Sequence, residues 1–172
     1  MLIATEGALF GTLIATYFYL RLRSAEWPPP EVPAPAVALP LALCAVLVAS
    51  TAPVAFAARA AGRGAARPAW LLIALALLVQ GGYLAWQVVL FTNDLARFDP
   101  GASAYGSIYF TLLGTHHAHV AVGLLLDAWL LARIAAGGLT PYRARAVRVT
   151  ALYWAFVAAV GVLVVATQVS AA

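Results

Sequence analysis

Glu6 stands inside an apolar run, MLIATEGALFGTLIATYFYLRLR. An ionised carboxylate in hydrocarbon costs on the order of 3 kcal/mol or more, so such an acid is neutral, paired or turned toward other helices. Two readings fit: a side chain near enough to a helix end to reach water, or a buried protonatable group packed toward a partner helix. A second polar cluster, Gly114-Thr115-His116-His117-Ala118-His119-Val120-Ala121-Val122-Gly123, lies in another apolar run. His116 and His119 are three apart and share a helix face, while His117 points elsewhere. Such a pair can ligate a metal or haem, or form a hydrogen-bonded polar seam inside a bundle. No Cys, Asp or Glu stands beside them to complete a ligand set, so the seam is the preferred reading and no metal ligand is assigned. Asp127 lies toward the end of the same run, where reaching water costs little, and reads as structural with an ion pair as the alternative. Asn93, Asp94 and Asp99 read as a solvated turn. Nothing forms a nucleophile–base pair or a phosphate loop, so no catalytic residue is assigned.

The elements that must hold these groups follow from composition. The 172 residues are 65% hydrophobic and 9% charged, with a mean hydropathy of +0.94. Soluble domains are about 45–50% apolar and about 25% charged, so this chain cannot coat a soluble globule with polar surface. A disordered chain and a disulfide-stapled module are excluded as well, which leaves a polytopic membrane protein. The net charge of +4 comes from arginine without any lysine. These arginines sit at the ends of apolar runs, where they set orientation, so no nucleic-acid partner is expected. Cys44 is the one cysteine, and no intrachain disulfide is possible. The chain opens without a basic n-region or small-residue cleavage site, so the first segment is expected to be a retained helix.

A spanning helix needs roughly 20 apolar residues, and five windows qualify: about 1–22, 37–58, 69–91, 105–132 and 147–169. Period-two alternation, the mark of a barrel strand, is missing from them. The predicted fold is all-α, one membrane domain over residues 1–172 with five transmembrane helices. Residues 24–40 hold Pro28, Pro29, Pro30, Pro33, Pro35 and Pro40, which predicts an extended, stiff link. The other connections carry Gly62, Gly64 and Pro68, then Pro100 and Gly101, then Gly137, Gly138 and Pro141. The loops on the N-terminal side carry Arg59, Arg63, Arg67, Arg133, Arg143, Arg145 and Arg148 and no acid; the other side carries Arg21, Arg23 and Arg97 with Glu26, Glu31, Asp94 and Asp99. This asymmetry predicts a cytoplasmic N-terminus and an exterior C-terminus.

Depth then links the two polar features. His119 is about 14 residues from Tyr105 and Glu6 about 16 from Leu22, so they lie roughly 21 Å and 24 Å below the exterior ends of their spans. A hydrogen bond from Glu6 to His119 or His116 is therefore feasible. Gly7-x-x-x-Gly11 permits close helix approach, and Gly81, Gly82 and Gly123 are candidates for the same role. Trp70, Trp86, Trp129 and Trp154 fall toward span ends and read as interfacial anchors.

Taken in order, the residues resemble a known family. MLIATEGALFGTLIATYFYLR, with its acid Glu6, is similar to the first conserved helix of subunit III of the haem–copper oxidases. Trp27-Pro28-Pro29-Pro30 resembles the linker that follows it. Tyr105-Gly106-Ser107 with Gly114-x-His116-x-x-His119-Val120-x-x-Gly123 resembles the family's most recognisable motif. Gly138-Leu139-Thr140 and Leu152-Tyr153-Trp154-x-Phe156 resemble the entry to its last helix. The match runs end to end. It departs where the family usually has a second acid, at Leu90 with Gln87 a turn earlier. It departs again where the last helix usually carries His, Asp and Trp, at Ala155, Ala158 and Gly161. This chain is thus a compact, divergent member, without the polar N-terminal segment that relatives often have.

The resemblance implies an accessory, non-redox subunit of a terminal respiratory oxidase. It would carry no cofactor itself and sit against a catalytic subunit I that holds haem and copper, among other respiratory subunits. It would bind phospholipid in a cleft, sustain proton uptake and keep the catalytic subunit intact, in the plasma membrane of a bacterium. Glu6, with His116 and His119 as polar partners, is the implied functional group, against a purely packing role for all three. A quinol oxidase or nitric oxide reductase subunit is the near alternative. A small haem- or metal-binding membrane protein using the histidine cluster is the alternative of another class. A transporter would need inverted repeats or broken helices, which the sequence does not display.

Overall fold

The structure, a computed structural model, describes residues 2–33 and 36–170; Met1 of the first expected span and Pro35 of the linker lie outside it. The described residues form five helices and no strand: α1 Leu2–Arg23, α2 Ala38–Gly62, α3 Ala66–Leu95, α4 Ala104–Gly137 and α5 Pro141–Val169. All five are long and apolar enough to cross a membrane. In hydrocarbon a spanning backbone must satisfy its own polar groups, which a helix does.

Four of the helices outrun the windows read from hydropathy. The 34-residue α4 is about 51 Å long at 1.5 Å per residue, against a hydrocarbon core of about 30 Å. Hydropathy finds the part inside lipid; the ends are set by capping. Ser103 Oγ accepts from the Gly106 amide at the start of α4, and Thr140 Oγ1 accepts from the Arg143 amide at the start of α5, both N-caps. Pro40, Pro68 and Pro141, expected in connections, instead occupy the first turns of α2, α3 and α5, where a missing N–H costs nothing. Gly64 and Gly138 have φ of +75° and +66° and close the two short loops at the arginine-rich end, as left-handed glycines do after helices.

Helices α2, α3, α4 and α5 form a ring in which each touches its two neighbours and the diagonal pairs do not meet. Helix α1 lies outside the ring and touches α4 and α5 alone. Its apolar window is 11% buried, against 50% for α5. Phe10 anchors it, packed with Leu112 and Leu113 of α4 and Val160 and Val164 of α5. The ring centre holds Leu47, Val54, Val120, Trp154 and Val157. Toward the arginine-rich end, Ala57, Ala60, Ala61 and Ala69 bring α2 and α3 close, as small residues do between membrane helices.

Four expectations are corrected here. Trp154 is not an interfacial anchor: it is fully buried, as Trp86 and Trp129 are not. Asp127 does not reach water; it is 0% exposed and its Oδ2 accepts from Trp154 Nε1 at 3.0 Å. The proline-rich link does not run straight. It turns at Val32, whose amide donates to the Pro29 carbonyl. Trp27 folds inward between Tyr17 and Tyr105, edge-on to both, because burying three large rings outweighs the stiffness of the prolines. Asp94 is also more than a solvated turn residue, since it accepts from Tyr109 Oη at 2.8 Å.

Candidate functional site

The seam between α1 and α4 carries the pair expected from depth. Glu6 Oε2 lies 3.0 Å from His119 Nε2, with the two side chains 25% and 15% exposed. His119 Nδ1 lies 2.7 Å from the Thr115 carbonyl oxygen one turn back. A carbonyl can only accept, so Nδ1 carries a proton and donates it there. In neutral His119, Nε2 is then an acceptor, and Glu6 must supply the hydrogen as a carboxylic acid. If Nε2 is protonated, Glu6 is the accepting carboxylate. Either way the pair shares one proton and stays neutral together, which suits a low-dielectric seam. Phe10 stands edge-on to the His119 ring at 4.9 Å, and Tyr153 Oη donates to the His119 carbonyl at 2.8 Å. A small cavity of about 180 Å³ between Glu6, Ala118, His119, Val122 and Tyr153 opens beside the pair. Chemically, this arrangement could hold one proton between two side chains beside a cavity.

His116 does not join that pair. Three residues turn a helix by about 300°, so His116 sits about 60° round from His119 and enters the ring, 2% exposed. Its Nε2 lies 3.4 Å from Tyr83 Oη, which accepts from Gln87 Nε2 at 3.1 Å. His117 turns toward Phe91. The three histidines thus serve three surroundings. Among the described residues, no group of three or more His, Cys, Asp or Glu side chains converges as a metal site would require.

A second polar knot lies deeper in the ring, and the sequence reading missed it. In the amide orientation that satisfies both its atoms, Gln80 Nε2 donates to Asp127 Oδ2 at 3.1 Å and its Oε1 accepts from Ser50 Oγ at 3.2 Å. With Trp154, this joins all four ring helices. The signal was present: Gln80, Tyr83 and Gln87 are all buried at i, i+3 and i+7, one face of α3.

The glycines divide the same way. Among the described residues, leaving aside the glycine's own helix turn, nothing lies within 4 Å of a Cβ built on Gly7, Gly11, Gly81 or Gly82, so none of these four is in close contact with another described helix. A Cβ on Gly123 would stand 2.5 Å from Trp154 Cζ2, and one on Gly161 would stand 3.1 Å from His116 Cε1. Those two positions seat the indole and the imidazole.

The family model described as cytochrome c oxidase subunit III matches residues 1–168. The chain belongs to the cytochrome c oxidase subunit III family. It is 28% identical over 163 residues to quinol oxidase subunit 3 of Bacillus spizizenii, covering 94% of this chain and 79% of that one. It is 32% identical over 161 residues to cytochrome c oxidase subunit 3 of Bacillus subtilis, covering 92% and 77%. It is 30% identical over 155 residues to cytochrome bo(3) ubiquinol oxidase subunit 3 of Pseudomonas aeruginosa, covering 88% and 73%. With five spanning helices and bacterial relatives, it is an integral protein of a bacterial cell membrane. A subunit III assembles in a larger complex.

The positions where this subunit III departs from the pattern now have surroundings. Leu90 lines a cavity of about 170 Å³ with Asp94, Tyr109 and Gln168. Ala155 faces outward and Ala158 is buried. At Gly161 any side chain would meet His116 and Leu47.

Proposed function

We propose that this subunit III is the accessory, non-redox subunit of a terminal haem–copper oxidase of the cytochrome c oxidase type. It seats on the catalytic subunit I, which holds the haem and copper, binds phospholipid, and supports proton uptake and the integrity of the complex. Its N-terminus faces the cytoplasm, as the arginine asymmetry argues. The observation that carries the functional part of this reading is the Glu6–His119 pair at 3.0 Å. It holds one proton on the least covered helix, beside a cavity that opens on the membrane face.

The test of assembly is co-purification. Affinity capture of this chain from its native membrane is expected to bring down a haem–copper subunit I, with a Soret band in the complex. A Soret band kept by the isolated chain would refute the accessory role and favour the haem-binding alternative. The quinol oxidase reading stays beside the main one because relatives of both kinds match equally well; oxidation of cytochrome c against a quinol by the captured complex separates them.

The proton role has its own test. Glu6→Gln keeps the shape and can still donate to His119 Nε2, but it has no acidic proton to pass on. It is expected to leave the complex assembled while lowering sustained turnover several-fold. Unchanged turnover across a pH series would leave the pair as packing alone.

Gly7 and Gly11 are read as the approach for a neighbouring subunit's helix, since no other described helix comes within 4 Å of a Cβ built there. Gly7→Leu with Gly11→Leu is expected to leave the helical content unchanged and to reduce the subunit I recovered per chain. Equal recovery would remove the glycines from the interface.

A further inference from the structure

At the arginine-rich end, the close of α2 and the start of α5 bound a concave pocket of about 400 Å³ between Ala61, Gly62 and Gly64 on one side and Thr140, Arg145 and Arg148 on the other. Arg145 and Arg148 are three apart on one face of α5. Arg148 Nη2 lies 3.8 Å from where a Cβ on Gly62 would stand, so its guanidinium lies over bare backbone. Among the described residues the one ion pair is Glu6–His119, and neither Arg145 nor Arg148 has a hydrogen-bond acceptor. They are not needed to cap α2, because the Ala60 and Ala61 carbonyls accept from the backbone amides of Arg63, Gly64 and Ala65. Arg143, nearby, is engaged with the Gly138 carbonyl. The loops at this end carry no acid. Two exposed guanidinium-bearing side chains therefore line one cavity, with no carboxylate to offset them.

The geometry points to this pocket as a binding site for the phosphate of an anionic phospholipid headgroup from the adjoining leaflet. Guanidinium forks match phosphate oxygens in charge and in spacing, and basic pockets between membrane helices take such headgroups. The pocket sits at the arginine-rich ends of α2 and α5, just beyond the apolar windows that end near residue 58 and begin near residue 147, on the side where a headgroup would meet it. Leu139, Pro141 and Ala144 complete its wall and offer an apolar surface to the glycerol and ester region. A free phosphate would gain nothing from that wall, whereas a lipid is already concentrated beside it. The inference deepens the lipid-binding part of the proposed function. It rests on the chain's place in the membrane and not on an effect on turnover, so its readout is bound lipid.

The full chain, with whatever subunits co-purify, is titrated with phosphatidylglycerol or phosphatidylcholine and the bound lipid counted by native mass spectrometry. Arg145→Gln with Arg148→Gln is expected to weaken phosphatidylglycerol binding roughly fivefold per arginine, about 25-fold together, and to weaken phosphatidylcholine, whose choline cancels the phosphate charge, far less. Arg67→Gln with Arg133→Gln removes the same charge outside the pocket and is expected to change binding less than about twofold. Equal losses in the two double variants would mean diffuse surface charge and overturn the site. So would unchanged binding in the first, or displacement of the lipid by millimolar inorganic phosphate, which would make the free anion the ligand. If the first double variant fails to accumulate, Gly62→Leu fills the pocket and leaves the charges in place. It is expected to lose phosphatidylglycerol as well, and retention would overturn the proposal.

Discussion

Trp154→Ala is expected to destabilise the chain more than any other single truncation, by about 3–5 kcal/mol, read as a large fall in thermal midpoint in detergent. Trp154 has no exposed surface and is the largest side chain so enclosed. Its ring fills the space that Gly123 leaves open, and its Nε1 donates to a carboxyl that is itself wholly buried. Truncation therefore opens a cavity and strands Asp127 together. Trp154→Phe separates the two effects, because it keeps most of the volume and removes the N–H. It is expected to cost about 1.5–3 kcal/mol, the range for a hydrogen bond to a charged or strongly polar group. Gln80, which can also donate to Asp127, holds that loss toward the lower figure. Asp127→Leu combined with Trp154→Phe should cost less than the two losses added, since the double change removes the group that each single change strands and leaves over just the Gln80 N–H that faced Asp127. Full additivity would mean that the indole and the carboxyl do not act as a pair.

Gly123→Ala is expected to destabilise by about 1–3 kcal/mol, toward the upper end. The new Cβ would lie 2.5, 2.8 and 2.9 Å from three atoms of the Trp154 ring. A flexible neighbour would yield; this ring is tied to Asp127 and enclosed. Gly161→Ala is expected to cost less, about 1 kcal/mol, because the closest atoms, on His116 and Leu47, stand at 3.1 and 3.2 Å. Gly81→Ala and Gly82→Ala meet nothing within 4 Å and are expected to be neutral or to stabilise by about 0.5–1 kcal/mol through helix propensity. The order of the four midpoints is the measurement. A Gly123→Ala chain as stable as the parent would show that Trp154 is free to move.

The site was partly legible beforehand. The Glu6–His119 contact followed from depth because two antiparallel spans of known direction place residues at calculable heights. Depth does not set azimuth, so the same arithmetic left His116 equally eligible. Which of two histidines three apart meets α1 depends on how α4 is rotated between α1 and the ring. Asp127 and Trp154 depart from expectation for a related reason: distance along the sequence from a span end does not measure nearness to water. Helix α4 runs on to Gly137, so that end lay further away, and both side chains point into the ring.

Composition and arginine placement by themselves determined that this chain crosses a membrane five times as helices and has one end rich in positive charge. Both depend on the local free energy of each residue in lipid or water, which adds along the chain. Only the tertiary structure decided that α1 stands outside a ring of four and that Gly123 seats an indole while Gly7 meets no other described helix. It also decided that Gln80, Ser50, Asp127 and Trp154 close a knot, and that two unpaired arginines flank a pocket. These depend on the rotation of each helix about its axis, which is set by packing between segments distant in sequence.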